Sequence, residues 1–300
     1  TEELLSRILD AYEPDVILAT PDDRLPESVT TGYDLVESGD ADLPALWRRR
    51  ARANDTIHPD LCLLLSTSGS TGSPKTVRLT RRNVLSNAAG IAEALGIDRD
   101  ECAVTSLPLF YSFGLSVLHT HLLAGARLVL TERSVLDAQF WDAVSRHACT
   151  SLAGVPYMYA MLRRIDLARR APPSLRTLTQ AGGKMSPELI DHFHQVMAAR
   201  DGRLFVMYGQ TEATARITVL PPHQTLSKLG GVGFPLRGGA LQVQTKDGSR
   251  ATAEAPGEIL YRGPNVMLGY AESRDDLGKG DEISGLLETG DLGYLDSDGC

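Results

Sequence analysis

Short apolar runs alternate with helix-length segments through the middle of the chain, and this alternation constrains its folding more than any other feature. Strand-like runs fall at residues 15–19, 61–66, 103–106, 127–131, 150–154, 175–180 and 203–207. Helical patterns lie between them at 82–95, 115–123, 136–148, 157–169 and 187–199. Ser186-Pro187-Glu188 is a good helix start: a capping hydroxyl, a proline with preset φ, and an acid in the first turn. Strands separated by helices need crossover connections, so the expected class is α/β, with helices packed on a largely parallel or mixed sheet. From about Gly230 glycine and proline become frequent, the helical pattern fades, and 241–245 and 258–262 read as short strands. The expected division is an α/β body over 1–229 and a smaller β-rich subdomain over 230–300.

Length and charge narrow the function. Three hundred residues bury enough surface to need no disulfide or metal staple. A net charge of −8 gives no general electrostatic footprint for DNA or RNA. The longest aliphatic stretch, 61–65, is too short to cross a bilayer, and no charged-then-apolar leader opens the chain. A cytoplasmic location is therefore expected. Cys62, Cys102, Cys149 and Cys300 lack any CxxC spacing, and three lie in strand-like runs as small hydrophobes. His119/His121 and His192/His194 fall in helical segments, where residues two apart diverge by about 200° and chelate poorly. The arginines 48, 49, 50 and 52, and 163, 164, 169 and 170, read as solvated helix faces. The chain opens on Thr1 and closes on a turn-like 296–300, as a hairpin cut before its second strand would.

Three segments carry chemistry. Ser66-Thr67-Ser68-Gly69-Ser70-Thr71-Gly72-Ser73-Pro74-Lys75 follows the apolar run 61–65. Its glycines let the backbone curl so that N–H groups and hydroxyls converge on an anion, and Lys75 adds a point charge. Pro74 stands where a Walker A loop needs glycine, so this is not a P-loop of that kind. A flexible linker is the competing reading. Tyr208-Gly209-Gln210-Thr211-Glu212 follows the run 203–207 and combines an aromatic face, a hydroxyl and a carboxylate, enough to stack a base, touch a phosphate and hold Mg²⁺. In Thr289-Gly290-Asp291 a carboxylate at a turn can accept both hydroxyls of a ribose, although on its own an ordinary Asx turn fits as well.

Taken in order with Gly182-Gly183 and with the segment 257–264 plus Gly269-Tyr270, these motifs resemble the adenylate-forming superfamily: acyl-CoA synthetases, peptide-synthetase adenylation domains and firefly luciferase. The resemblance covers about residues 55–300. It implies that Thr67, Ser68, Gly69, Ser70, Thr71, Gly72 and Lys75 form a mobile loop over the β- and γ-phosphates. Gly182 and Gly183 would line the adenine and α-phosphate side, Tyr208 would stack on adenine with Gly209 and Gln210 beside it, Thr211 would meet the α-phosphate, Glu212 would hold Mg²⁺, and Asp291 would bind ribose. The catalytic set it implies is Thr71, Lys75, Thr211 and Glu212. The implied reaction is ATP-dependent activation of a carboxylic acid to an acyl-adenylate with release of pyrophosphate. Transfer to a thiol, coenzyme A or the pantetheine of a carrier protein, would follow. No nucleic acid or membrane span is expected.

Departures from the family pattern qualify this. Family members carry a lid domain after the Thr-Gly-Asp segment, with a lysine that contacts the attacking carboxylate. The resemblance thus implies a nucleotide-binding body without its lid, and slow adenylation. Tyr111 replaces the histidine common at the aromatic gate, and Lys184 stands where many members have alanine. Domains for α-amino acids place an aspartate in the segment matching 110–116, but no acid lies between Cys102 and Thr131. Burying an unpaired ammonium would cost several kcal/mol, so an acid without an α-ammonium, fatty or aryl, is expected. Its pocket would use Tyr111 or Ser112 (the match shifts by one residue), Phe113, Val155 and Pro156, with Leu109 and Leu115 expected in the core rather than the lining. The alternative function is a nucleotide-binding body without turnover, a sensor or interaction module. A P-loop NTPase is disfavoured by Pro74, and a serine hydrolase by the lack of any Gly-x-Ser-x-Gly.

Overall fold

The computed structural model describes residues 2–20, 23, 25–38, 43–50, 57–67 and 75–300, and divides into two units: residues 1–78 with 268–282, and residues 79–267 with 283–300. In the first unit the chain forms α1 (Glu2–Tyr12), β1 (Val16–Ala19), α2 (Glu27–Gly32), β2 (Tyr33–Glu37), β3 (Ala45–Arg49), β4 (Leu61–Ser66) and β5 (Thr76–Thr80), the last crossing into the second unit. Strand β3 pairs antiparallel with both β1 and β2, setting Trp47 opposite Ile17 and Leu35. Arg48 and Arg49 therefore lie on a strand, and Arg50 just past it, rather than on the expected helix face; Arg52 lies outside the described residues. Cross-strand packing of Trp47 outweighs the helix preference of the arginines. Arg78 is wholly buried in this unit, yet fully served: it donates to Glu282 and to the carbonyls of Tyr270, Lys279 and Gly280.

The second unit continues with α3 (Arg81–Leu95), β6 (Cys102–Val104), α4 (Ser112–Leu123), β7 (Arg127–Val129), α5 (Ala138–Arg146), β8 (Ser151–Gly154), α6 (Pro156–Arg164), α7 (Leu167–Arg170), β9 (Thr177–Gln180), α8 (Pro187–Ala198) and β10 (Arg203–Tyr208). Strands β11 (Thr218–Leu220), β12 (Phe234–Pro235), β13 (Ala240–Gln244) and β14 (Gly257–Arg262) follow; β15 (Gly269–Ala271) returns to pair with β5 of the first unit, and β16 (Leu286–Gly293) ends the elements. The central sheet has the order β12-β11-β10-β9-β8-β6-β7, parallel from β10 to β7 and antiparallel at β11 and β12. That is the expected α/β class. Strands β13, β14 and β16 form a separate antiparallel sheet. The packing division does not follow the change of texture at residue 230, because β15 leaves the second unit to complete the sheet of β4 and β5.

Local chemistry explains the element ends. Thr80 caps α3 with a reciprocal box: its hydroxyl accepts from Asn83 N (3.0 Å) and its N–H donates to Asn83 Oδ1 (2.8 Å). Ser186 caps α8, with Pro187 at the first position. The helical pattern expected over 157–169 is two helices, broken at Asp166, whose left-handed φ of 56° cannot continue a right-handed turn. Arg163, Arg164, Arg169 and Arg170 are exposed, as solvated helix faces should be. Phe140, Leu162, Leu175, Leu178 and Phe193 are fully buried between the sheet and its helices. Cys102 and Cys149 are buried with their sulfurs 3.9 Å apart, but Cys62 is exposed and does not act as a core hydrophobe. Among the described residues no helix is long and apolar enough to cross a membrane.

Candidate nucleotide and acid site

Parallel strands bring their carboxyl ends to one edge of a sheet, where loops can converge. Register aligns Gly154 of β8 with Gln180 of β9, and Gln180 with Val206 of β10. The next residues, Val155-Pro156, Gly182-Gly183 and Gly209-Gln210, therefore leave the same edge. All of them, with Asp291, belong to the second unit.

Tyr208 is the last residue of β10, and its phenol donates to Asp291 Oδ2 (2.7 Å). Gln210 Nε2 donates to the same oxygen (2.8 Å), to the Thr289 carbonyl (2.8 Å) and to the Tyr208 oxygen (3.3 Å). Burial, and then the bond to Asp291, push the Tyr208 phenol well above its ordinary range, so it is a neutral donor at any working pH. Asp291 itself is exposed, with Oδ2 held by two donors. An aromatic ring and a carboxylate are thus locked side by side at the mouth of the sheet.

Beside them Ser112, the first residue of α4, lies 3.2 Å (Oγ to Oγ1) from Thr211. Gly182 has φ of 76°, and a Cβ there would collide with the Tyr111 hydroxyl, so Tyr111 lies directly over Gly182. The same hypothetical Cβ would press on Val155, and one at Gly183 would touch Pro156. Gln180 Nε2 ties the turn by donating to the Gly183 carbonyl (2.8 Å). At Gly209 a Cβ would overlap the Ala215 carbonyl oxygen, so only glycine permits this crossing. Tyr111, Ser112, Val155, Pro156, Gly182, Gly183 and Thr211 are thus close neighbours. Phe113 is buried beside Tyr111, ring centroids 6.3 Å apart, with its ring 3.7 Å from the Arg216 guanidinium carbon. Leu109, expected in the core, is exposed, as are Phe110 and Tyr157, while Leu115 is half-buried.

Glu212 is half-buried in the short 3-10 turn Thr211–Ala213, and its carbonyl accepts from Met267 N (2.9 Å). Among the described residues no cluster of three His, Cys, Asp or Glu side chains could hold a metal. Mg²⁺ needs no such cage when phosphate oxygens complete its shell, so one carboxylate here is a sufficient protein ligand. Thr67 and Lys75 belong to the first unit, where the Lys75 ammonium lies 3.8 Å over the Tyr270 ring. Ser68, Gly69, Ser70, Thr71 and Gly72 lie outside the described residues.

Sequence reasoning missed the frame that holds residues 213–216. Asn87 Nδ2 donates to the Arg216 carbonyl (2.8 Å), and Asn265 Nδ2 donates to those of Ala213 (2.8 Å) and Arg216 (2.9 Å). Thr214, a β-branched residue at φ 68°, is anchored by its hydroxyl to the Asn265 carbonyl (2.8 Å). Arg216 itself is 2% exposed, and burial pushes its guanidinium down to about 9. The one legible signal was a lone charge in the apolar stretch 213–220.

A parallel α/β sheet with loops converging beyond its carboxyl edge, an aromatic–carboxylate pair and a small-residue turn defines a nucleotide-binding body. The AMP-binding enzyme family model matches residues 1–271, and the chain belongs to that family. Among curated relatives, the 2-succinylbenzoate–CoA ligases of Bacillus velezensis and Bacillus subtilis are each 35% identical, over 80% and 79% of this chain and 47% of their own length. O-succinylbenzoate coenzyme A synthetase (MenE) from Bacillus subtilis in complex with AMP is similar in structure, with a TM-score of 0.69 and 33% identity over 81% of this chain and 49% of its own. The same enzyme has been solved with ATP and magnesium ion, at 32% identity over 85% of this chain and 50% of that one, TM-score 0.69. The chain spans about half the length of the curated relatives it matches.

Proposed function

We propose that the chain is the nucleotide- and acid-binding part of an AMP-forming acid–thiol ligase, which joins a carboxylic acid to AMP and then passes the acyl group to a thiol. The observation that carries this reading is the Tyr208–Gln210–Asp291 cluster set beside the Ser112–Thr211 hydroxyl pair. Residues 1–229 supply most of the site, and Asp291 comes from the 230–300 segment.

In this reading Tyr208 lies along adenine, Asp291 accepts the ribose hydroxyls, and Gly182 and Gly183 leave room for the α-phosphate. Thr211, steadied by Ser112, donates to an α-phosphate oxygen. A carboxylate oxygen attacks the α-phosphorus, the bond to the bridging oxygen breaks, and pyrophosphate leaves. The thiol sulfur then attacks the acyl carbon and AMP departs. Both steps bring anions together, so positioning and fixed donors do most of the catalysis. Glu212 would hold Mg²⁺, which supplies neutralising charge on the phosphates. Tyr111, Ser112, Phe113, Val155 and Pro156 flank the acid. Coenzyme A is the acceptor favoured by the relatives' names, with a carrier-protein pantetheine second, and the use of ATP goes with a cytoplasmic location.

Carboxylate-dependent exchange of labelled pyrophosphate into ATP tests this over an acid panel that includes 2-succinylbenzoate. Exchange with at least one acid is expected. If ATP neither binds nor exchanges, the proposal fails; if it binds tightly without exchange for any acid, a sensor body is the better reading.

A further inference from the structure

The helix that carries the acid side of the site starts without a local anchor. Tyr111 is the N-cap of α4 and makes no side-chain cap bond, so the first turn, with Ser112 and Phe113, relies on tertiary contacts to stay wound. Two side-chain contacts reach that turn from residues 211–216: Ser112 lies 3.2 Å from Thr211, and the Phe113 ring lies 3.7 Å from the Arg216 guanidinium carbon. Tyr111 in turn meets the Phe113 ring edge-on, and its hydroxyl lies over Gly182.

Arginine is a costly residue for such a contact. Arg78, equally enclosed, is surrounded by acceptors, whereas Arg216 has an Nε with no hydrogen-bond partner and no ion pair among the described residues. Its Nη1 reaches only the Ala215 carbonyl, at 3.4 Å. Burial pushes the guanidinium down to about 9, which leaves it charged at neutral pH. An apolar side chain of similar volume would fill the space without burying an unpaired cation. What it could not supply is attraction to the face of a ring, which fixes where the ring lies. The main chain and side chain of Arg216 serve different halves of the site. Its carbonyl accepts from Asn87 and Asn265, and Ile217 N donates to the Tyr208 carbonyl (2.9 Å), so this backbone supports the nucleotide loop. The guanidinium faces Phe113, on the acid side.

We propose that Arg216 is a positioning residue for the acid: held against Phe113, it fixes that ring and, through it, the Tyr111 gate over Gly182, so that the incoming carboxylate meets a preformed wall. The inference rests on the adenylate-forming reading and adds to it a side chain that acts through another rather than by touching the substrate. Without the stack the first turn of α4 is freed, and the acid must order its own wall as it binds. A desolvated cation–π contact sets the scale of that loss at about 5- to 30-fold in acid affinity. AMP, which this reading places against Tyr208 and Asp291, should not sense it.

The test is titration calorimetry on the 300-residue chain with AMP and with hexanoate, benzoate and 2-succinylbenzoate, the tightest-binding acid serving as the probe. Arg216→Met should weaken that acid about 5- to 30-fold and leave AMP affinity within about twofold. Arg216→Lys should bring the acid back to within about threefold of wild type, because Arg216 makes none of the forked bonds that lysine lacks. Phe113→Leu should weaken the acid at least as much, and adding Arg216→Met to it should change acid affinity by less than about twofold, since the arginine acts through the ring. An arginine that merely holds the fold would weaken acid and AMP alike, and its loss would add to that of Phe113→Leu; either result overturns the inference. Should Arg216→Met not fold, Arg216→Gln takes its place, and acid affinity unchanged in Phe113→Leu overturns the inference by itself. A wild-type chain that binds no AMP counts against the adenylate-forming reading. One that binds AMP but no acid, or an acid that Arg216→Met leaves unaffected, overturns the inference alone.

Discussion

Replacing Asp291 by alanine removes an acceptor shared by Tyr208 and Gln210, and the structure allows its effect on nucleotide binding to be worked out. Oδ2 receives bonds of 2.7 and 2.8 Å from the two side chains. In the variant Gln210 keeps the Thr289 carbonyl at 2.8 Å, but the Tyr208 phenol loses its acceptor, at about 1 kcal/mol for a half-buried hydroxyl. Charge-assisted bonds to the ribose diol would each contribute about 1.5–3 kcal/mol if buried, but Asp291 is exposed and the lower end applies. The two ribose bonds at that lower end give about 3 kcal/mol, or roughly 150-fold in AMP affinity, while the loss at Tyr208 is common to the free and the AMP-bound variant. Titration calorimetry with AMP reads this directly. Tyr208→Phe keeps the ring and loses only the hydroxyl, so it should weaken AMP by no more than about threefold, and the double variant separates direct contact from positioning. Unchanged AMP affinity in Asp291→Ala would remove Asp291 from the site and refute the reasoning.

Three further outcomes are expected. Asn83→Ala breaks the capping box of α3 and strips donors from the Pro264 and Val266 carbonyls (both 2.8 Å), so chemical denaturation should show a loss of about 2–3 kcal/mol; a loss below about 0.5 would contradict the assigned role. Burial lowers both His121 and His119 in the folded state, so the unfolded chain binds the proton more readily; stability should be whole above about pH 6.5 and fall as pH drops through that value, by up to about 1.4 kcal/mol per pH unit for each group. His121→Gln should flatten the urea midpoint between pH 7.5 and 5.5, and an unaltered pH slope would argue against it. Gly182→Ala forces a side chain onto a left-handed residue and into the Tyr111 hydroxyl, so it should cost about 1–2 kcal/mol of stability and weaken acid and AMP binding together; wild-type binding in that variant would show that the turn does not shape the site.

Much of this was legible in the chain itself, for a physical reason. Strand–helix alternation is a local pattern, and crossover connections then leave little choice but a mostly parallel sheet. The alternation placed β8, β9 and β10, and the small or reactive residues that follow them, without any tertiary information. Tyr208, Asp291 and the Gly182-Gly183 pair stood out because their residue types suit turns and ligands more than cores. Tertiary structure alone decided how they meet. Gln210 bridging Tyr208 and Asp291, Tyr111 lying over Gly182, and Asn87 and Asn265 clamping residues 213–216 all join positions many tens of residues apart or across elements, and no spacing rule encodes such contacts. The arginines of β3 read as a helix face until cross-strand partners for Trp47 made them a strand. Phe113 and Arg216 show the limit most clearly. Each is ordinary in the sequence, one an aromatic in an apolar helix, the other a lone charge. Only packing puts the ring under the guanidinium and leaves a buried cation facing a cavity, because burial and pairing are properties of the folded neighbourhood rather than of the residue.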